Sequence, residues 1–108
     1  MKRGMGGGGD MQTEKGLMRR HLIIEGLVQG VGFRWRARQA AGAAGCTGWV
    51  RNDYGGTVSM ELQGTQAQID RVLQTLERAP WIRIEGINSR TIPVDPDERG
   101  FITKDDEW

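Results

Sequence analysis

Cysteine is nearly absent from this chain. Cys46 stands alone among 108 residues, so no internal disulfide can form and a reducing, cytoplasmic setting is expected. Histidine is equally scarce. With His21 and Cys46 the only residues of their kinds and the acids scattered, the sequence offers no metal-ligand set, and no metal or cofactor is expected. No apolar run approaches the ~18 residues of a membrane span, and the first 20 residues lack the apolar core of a secretory signal. Charge of one sign is also missing. The net charge is +1, and residues 21–108 hold ten basic and twelve acidic groups. Bulk charge therefore does not mark a nucleic-acid binder, and any positive charge that matters must be local.

Glycine is the residue in excess, 17 in all. Four stand together as Gly6–Gly9, inside a stretch without apolar periodicity. Nothing there offsets the entropy lost on ordering glycine. Residues 1–17 are expected to be a disordered, dispensable tail, and residues 18–108 a single domain.

Three more glycines sit in seven residues, within Gly26-Leu27-Val28-Gln29-Gly30-Val31-Gly32-Phe33-Arg34. A strand-like run precedes this stretch and a helix-like run follows it. Glycines let successive backbone N–H groups face one concavity. A helix N-terminus adds unpaired N–H groups and partial positive charge. Arg34 adds a guanidinium that fits a phosphate edge-on. An arginine in a first helical turn opposes the helix dipole, which points to an anionic partner. Leu27 through Phe33 are thus the candidate phosphate-binding backbone. Eighteen residues beyond Arg34, Gly48-Trp49-Val50-Arg51-Asn52 brings a carboxamide able to orient water.

From His21 onward the pattern is β-α-β-β-α-β. His21–Glu25 reads as a strand, and Phe33–Gly45 as a helix with Phe33, Ala37, Ala41 and Ala44 on one stripe. Thr47–Asn52 is a second strand, followed by the turn Asp53-Tyr54-Gly55-Gly56. Thr57–Gln63 alternates, with Val58, Met60 and Leu62 toward a core and Thr57, Ser59, Glu61 and Gln63 toward water. Thr65 and Gln68 form a capping-box signal for a helix that Pro80 ends. Ile82–Arg90 is a fourth strand, and Phe101–Lys104 a short edge strand. The fold class is α+β: a ferredoxin-like split β-α-β arrangement, with two helices on one face of an antiparallel sheet.

In this topology the first helix, spanning ~18 Å, and the second strand, spanning ~20 Å, match in length. Asn52 returns to the level of the glycine loop, about two strand spacings, or ~10 Å, away. His21 falls ~17 Å below Gly26, out of reach as a base. Cys46 follows the far end of the helix and reads as a small core residue. Asp105-Asp106-Glu107 reads as a solvated acidic terminus.

Loop, arginine and Trp-Val-Arg-Asn at this separation resemble the acylphosphatase family, over about Met18 to Lys104. The resemblance implies that Arg34 binds the substrate phosphate and Asn52 orients the attacking water, with Thr57 supporting the site. It implies hydrolysis of small acyl phosphates without metal or cofactor, with inorganic phosphate as product and inhibitor. The expected form is a cytoplasmic monomer that binds neither nucleic acid nor membrane. The alternative is a non-catalytic domain of the same type that only holds a phosphorylated ligand. An RNA-binding module of this fold needs stacking aromatics on its central strands, which the first and third strands lack.

Overall fold

The computed structural model of the chain describes residues 16–106. Five strands and two helices follow in the order β1 (Met18–Leu27), α1 (Phe33–Ala44), β2 (Thr47–Asn52), β3 (Val58–Gly64), α2 (Gln66–Arg78), β4 (Arg83–Ile92) and β5 (Phe101–Thr103). The expected 1–17 tail lies outside the described residues except for Gly16 and Leu17.

One sheet has the strand order β4-β1-β3-β2-β5. β3 lies between β1 and β2, as the split arrangement requires. The sheet is mixed rather than antiparallel, because β5 pairs parallel with β2. β1 is twice as long as expected: Met18, Arg19 and Arg20 pair with Gly64, Gln63 and Leu62. β4 extends two residues further, to Ile92.

Both helices cover one face. Leu22 and Ile24 from β1, Val50 from β2, and Val58, Met60 and Leu62 from β3 are fully buried beneath Ile69, Val72 and Leu76 of α2. Burying each such side chain stabilises by about 1.5–3 kcal/mol. The stripe of α1 is Phe33, Ala37, Ala40, Ala41 and Ala44, all buried. Alanine keeps the helix backbone close to the sheet. Gly45 ends α1 at φ 81°, and its N–H bonds back to the Ala41 and Gly42 carbonyls. The α2 start has the full capping box, Thr65 accepting from Gln68 N–H and Gln68 Oε1 accepting from Thr65 N–H.

The other face of β3 is not wet. Ser59 and Gln63 are buried. The connection from β4 to β5 crosses this face because its two strands sit at opposite sheet edges. Asp95 N–H donates to Gln63 Oε1 at 2.8 Å, and Gln63 Nε2 donates to the Asp95 carbonyl at 2.9 Å. Glu98 accepts two bonds from the buried Arg19 guanidinium, at 2.7 and 3.0 Å. Gly48 N–H then meets the Gly100 carbonyl at 3.1 Å. The strap thus touches β3 at Asp95, β1 at Glu98 and β2 at Gly100 before it becomes β5.

Beneath the strap, Glu61 accepts from Arg19 Nε at 3.0 Å and from Trp49 Nε1 at 3.2 Å, and pairs with His21 Nδ1 at 2.6 Å. His21 therefore does not start its strand but sits within it, in a polar cluster. Burial pushes the Glu61 carboxyl upward, and the bonds and charges of His21 and Arg19 outweigh it, so the net pKa shift is downward.

Candidate active site

The glycine loop begins later than its sequence suggests. Gly26 and Leu27 belong to β1, and the pairing with β4 slips between Glu25 and Gly26. At φ 134°, Gly26 lets the Arg83 carbonyl approach to where a Cβ would stand only 2.0 Å from it. The chain then turns through Gly30 and Gly32, at φ 75° and 79°, both in the left-handed region. Gly32 is the N-cap of α1, with no side-chain cap and no acidic residue in the first turn. Among the described residues no side chain caps the leading N–H groups of α1, the condition under which a helix start attracts an anion.

A hollow of about 200 Å³ opens there, lined by Val28, Gly30, Gly32, Phe33, Arg34, Trp35 and Asn52. Six of these seven come from the loop and the first turn of α1. Asn52 comes from the top of β2. Strand alternation explains its direction: Gly48, Val50 and Asn52 are the buried positions of β2, so Asn52 shares the helix-facing side with Val50. Asn52 is 9% exposed, and among the described residues nothing holds its carboxamide by a hydrogen bond. Among the described residues the one buried side-chain polar atom without a partner is Thr47 Oγ1, so the Asn52 amide is not sealed in but opens to the hollow, where water or a ligand can serve it.

The remaining candidates are placed differently. Leu27 is more than half exposed and Val31 packs against the core. Phe33 buries its ring in the core, leaving its backbone to face the hollow. Gln29 spends its side chain elsewhere: Nε2 donates to the Asp53 carbonyl at 2.7 Å and to the Thr57 carbonyl at 2.8 Å. The loop is thereby stapled to the hairpin that follows Asn52. Thr57 Oγ1 and Ser59 Oγ both donate to Asp53 Oδ2, at 2.9 and 2.7 Å, while Arg51 grips Oδ1 at 3.2 Å. Asp53 is buried and organises this turn, a role its local sequence, that of a turn former, does not reveal. The cluster of Arg51, Asp53, Thr57 and Ser59 around one hairpin was the available signal.

The acidic terminus also departs from expectation. Arg34 Nη1 donates to Asp106 Oδ1, so Asp106 is paired rather than solvated. β5 delivers it: Thr103 lies beside Val50, Lys104 N–H bonds the Val50 carbonyl at 2.8 Å, and the Lys104 ammonium stands 4.2 Å over the Trp49 ring. Cys46 is buried away from the hollow, and burial pushes its thiol up to about 11, so it remains protonated. Among the described residues no group of three or more His, Cys, Asp or Glu is placed to hold a metal ion. No helix of the described residues is long and apolar enough to cross a membrane.

Known proteins place this architecture. The sequence profile of the Acylphosphatase family matches residues 20–103. An acylphosphatase of Geobacillus thermodenitrificans is 38% identical over 86 residues, 79% of this chain and 92% of that protein. One from Bifidobacterium longum is 34% identical over 93 residues, 84% of this chain and 96% of that protein. The solved structure of an acylphosphatase from Coxiella burnetii superposes with a TM-score of 0.77 at 30% identity, covering 88% of this chain and all of that one. On the profile match and on the relatives' identity over most of their length, the chain belongs to the acylphosphatase family.

Proposed function

We propose that this chain is an acylphosphatase that hydrolyses the carboxyl-phosphate bond of small acyl phosphates by direct attack of water. The observation that carries this reading is the meeting, across one hollow, of an uncapped helix start with Arg34 on one side and, on the other, the Asn52 carboxamide, which no side chain or backbone group among the described residues holds. Loop N–H groups and the Arg34 guanidinium hold the phosphoryl oxygens and stabilise the charge that gathers there. Asn52 holds a water in line with phosphorus. The water oxygen forms the new P–O bond, the bond to the carboxylate oxygen breaks, and the electron pair leaves with the carboxylate. A carboxylate is a good leaving group, so no strong acid is needed. No side chain lining the hollow is a base, so a phosphoryl oxygen takes the water's proton. Inorganic phosphate is then both product and competitive inhibitor. The setting is a cytoplasmic monomer, in keeping with one buried thiol.

Acetyl phosphate hydrolysis, corrected for the spontaneous rate, tests this directly. Arg34→Ala is expected to abolish both phosphate binding and turnover. Asn52→Ala is expected to keep phosphate as a competitive inhibitor while kcat falls about 10²–10³-fold. Retained phosphate binding in Arg34→Ala together with lost binding in Asn52→Ala would reverse the two roles.

A further inference from the structure

Trp35 is 63% exposed, an unusual position for the largest apolar side chain. It is the one residue shared by two hollows. The first is the 200 Å³ phosphate hollow. The second, about 210 Å³, runs between α1 and α2 and is lined by Trp35, Gln39, Ala40, Ala43, Ala44 and Arg71, among others. Trp35, Gln39 and Ala43 follow one another at helical spacing, as do Ala40 and Ala44, so the second hollow is a groove along the α1 axis. From Trp35 to Ala43 it extends about 12 Å. Its floor is indole and alanine methyl groups, and Trp35 lies at the edge of both hollows.

We propose that this groove is the acyl subsite, and that the preferred substrates carry an apolar acyl chain of medium length on the phosphate. The inference rests on the acylphosphatase reading above. In-line attack places the leaving carboxylate opposite the water that Asn52 holds. The acyl group must therefore leave the phosphate hollow on a side away from β2, and Trp35 is the wall on the α1 side. An acetyl group ends at that wall. A longer chain continues over the exposed indole and covers the Ala43 methyl, which otherwise faces water. Two arginines also line the groove, Arg71 exposed and Arg36 half-buried. The lining surface is nonetheless mostly apolar, which suits methylenes, and the two guanidiniums make a second carboxylate the competing occupant. A fully buried methylene is worth roughly a fourfold gain in affinity. In an open groove with a few methylenes covered, the expected gain is about tenfold to a hundredfold.

The test compares acetyl, butanoyl, hexanoyl, octanoyl and succinyl phosphate on the full chain and on Ala43→Trp. Ala43 is exposed and lies outside the phosphate hollow, so a bulky residue there fills the groove without entering the core. The wild type is expected to show kcat/KM rising tenfold or more from acetyl to octanoyl phosphate, mainly through KM. Ala43→Trp is expected to flatten this series while hydrolysing acetyl phosphate normally. Equal kcat/KM along the series, a series unchanged by Ala43→Trp, or a preference for succinyl phosphate would each overturn the acyl subsite and leave the hydrolase reading standing. Hydrolysis of none of the five would sink both.

Discussion

Arg34 and Asp106 are 72 residues apart in sequence and joined at 2.8 Å, guanidinium Nη1 to carboxylate Oδ1. The contact is made through one nitrogen only. A guanidinium carries five N–H donors in a planar fork, so the others remain for a phosphoryl group. The carboxylate orients the fork and also places a negative charge beside the seat of an anion. The pair is one-third exposed on both sides, and such a contact is worth little in stability.

Asp106→Asn separates these two effects, because the amide keeps an acceptor oxygen and drops the charge. Inorganic phosphate is expected to inhibit two- to fivefold more tightly in this variant, the range that up to about 1 kcal/mol of relieved repulsion allows. Asp106→Ala removes orientation as well and should gain less. Inhibition constants at low ionic strength would show it. Weaker phosphate binding in both variants would make the orienting role the dominant one.

Gln29 ties the phosphate loop to the hairpin after Asn52 with both of its amide hydrogens. Gln29→Ala leaves the Asp53 and Thr57 carbonyls without that partner. A loss of about 1–3 kcal/mol is expected, with Tm falling about 4–8 °C for each kcal/mol. Because a displacement near 1 Å can cost up to 10²-fold in rate, kcat should drop by about tenfold or more, beyond any loss of phosphate affinity. A lowered Tm with unchanged kcat would show the staple to be structural alone.

Glu61 should make stability depend on acid. Its folded pKa is depressed below the ordinary value of 4.5, so it contributes stability above that value and loses it as pH falls through the folded pKa. Glu61→Gln removes the charge facing Arg19 and His21, although Arg19 keeps Glu98. Near pH 7 the variant is expected to melt below the wild type by the equivalent of about 1–3 kcal/mol. The gap should narrow progressively below about pH 4.5. Melts at closely spaced pH values check this, and a gap that stays constant down to pH 3 would refute it.

Much of the fold was legible because it is written locally. The alternation of Val58, Met60 and Leu62, the alanine stripe of α1 and the Thr65–Gln68 box each fix an element within a few residues. The bounds of β2 were readable for the same reason. Apolar periodicity reports which face meets a core, and it is silent about polar partners far along the chain. Arg19 fell outside the expected first strand because its partners Glu61 and Glu98 lie 42 and 79 residues away. Ser59 and Gln63 looked solvated because the strap that covers them comes from the other end of the molecule. In the site, the loop, Arg34 and Asn52 were legible as a spaced motif. The staple of Gln29, the hub at Asp53 and the arrival of Asp106 were not, since each depends on the tertiary crossing of segments.

The parallel pairing of β5 with β2 sets an order of events during synthesis. A ribosome releases the chain from its N-terminal end, and segments fold as they become available. By the time Ile82 has emerged, every buried apolar residue in the core except Phe101 is present. The strap and β5 come last and must travel from one sheet edge to the other, a long-range step with a high loop-closure cost. A nascent chain can therefore assemble its hydrophobic centre while Arg34 still waits for the carboxylate of Asp106. Core formation and the final charge balance at Arg34 are separate events, and only the second needs Asp106 to have emerged.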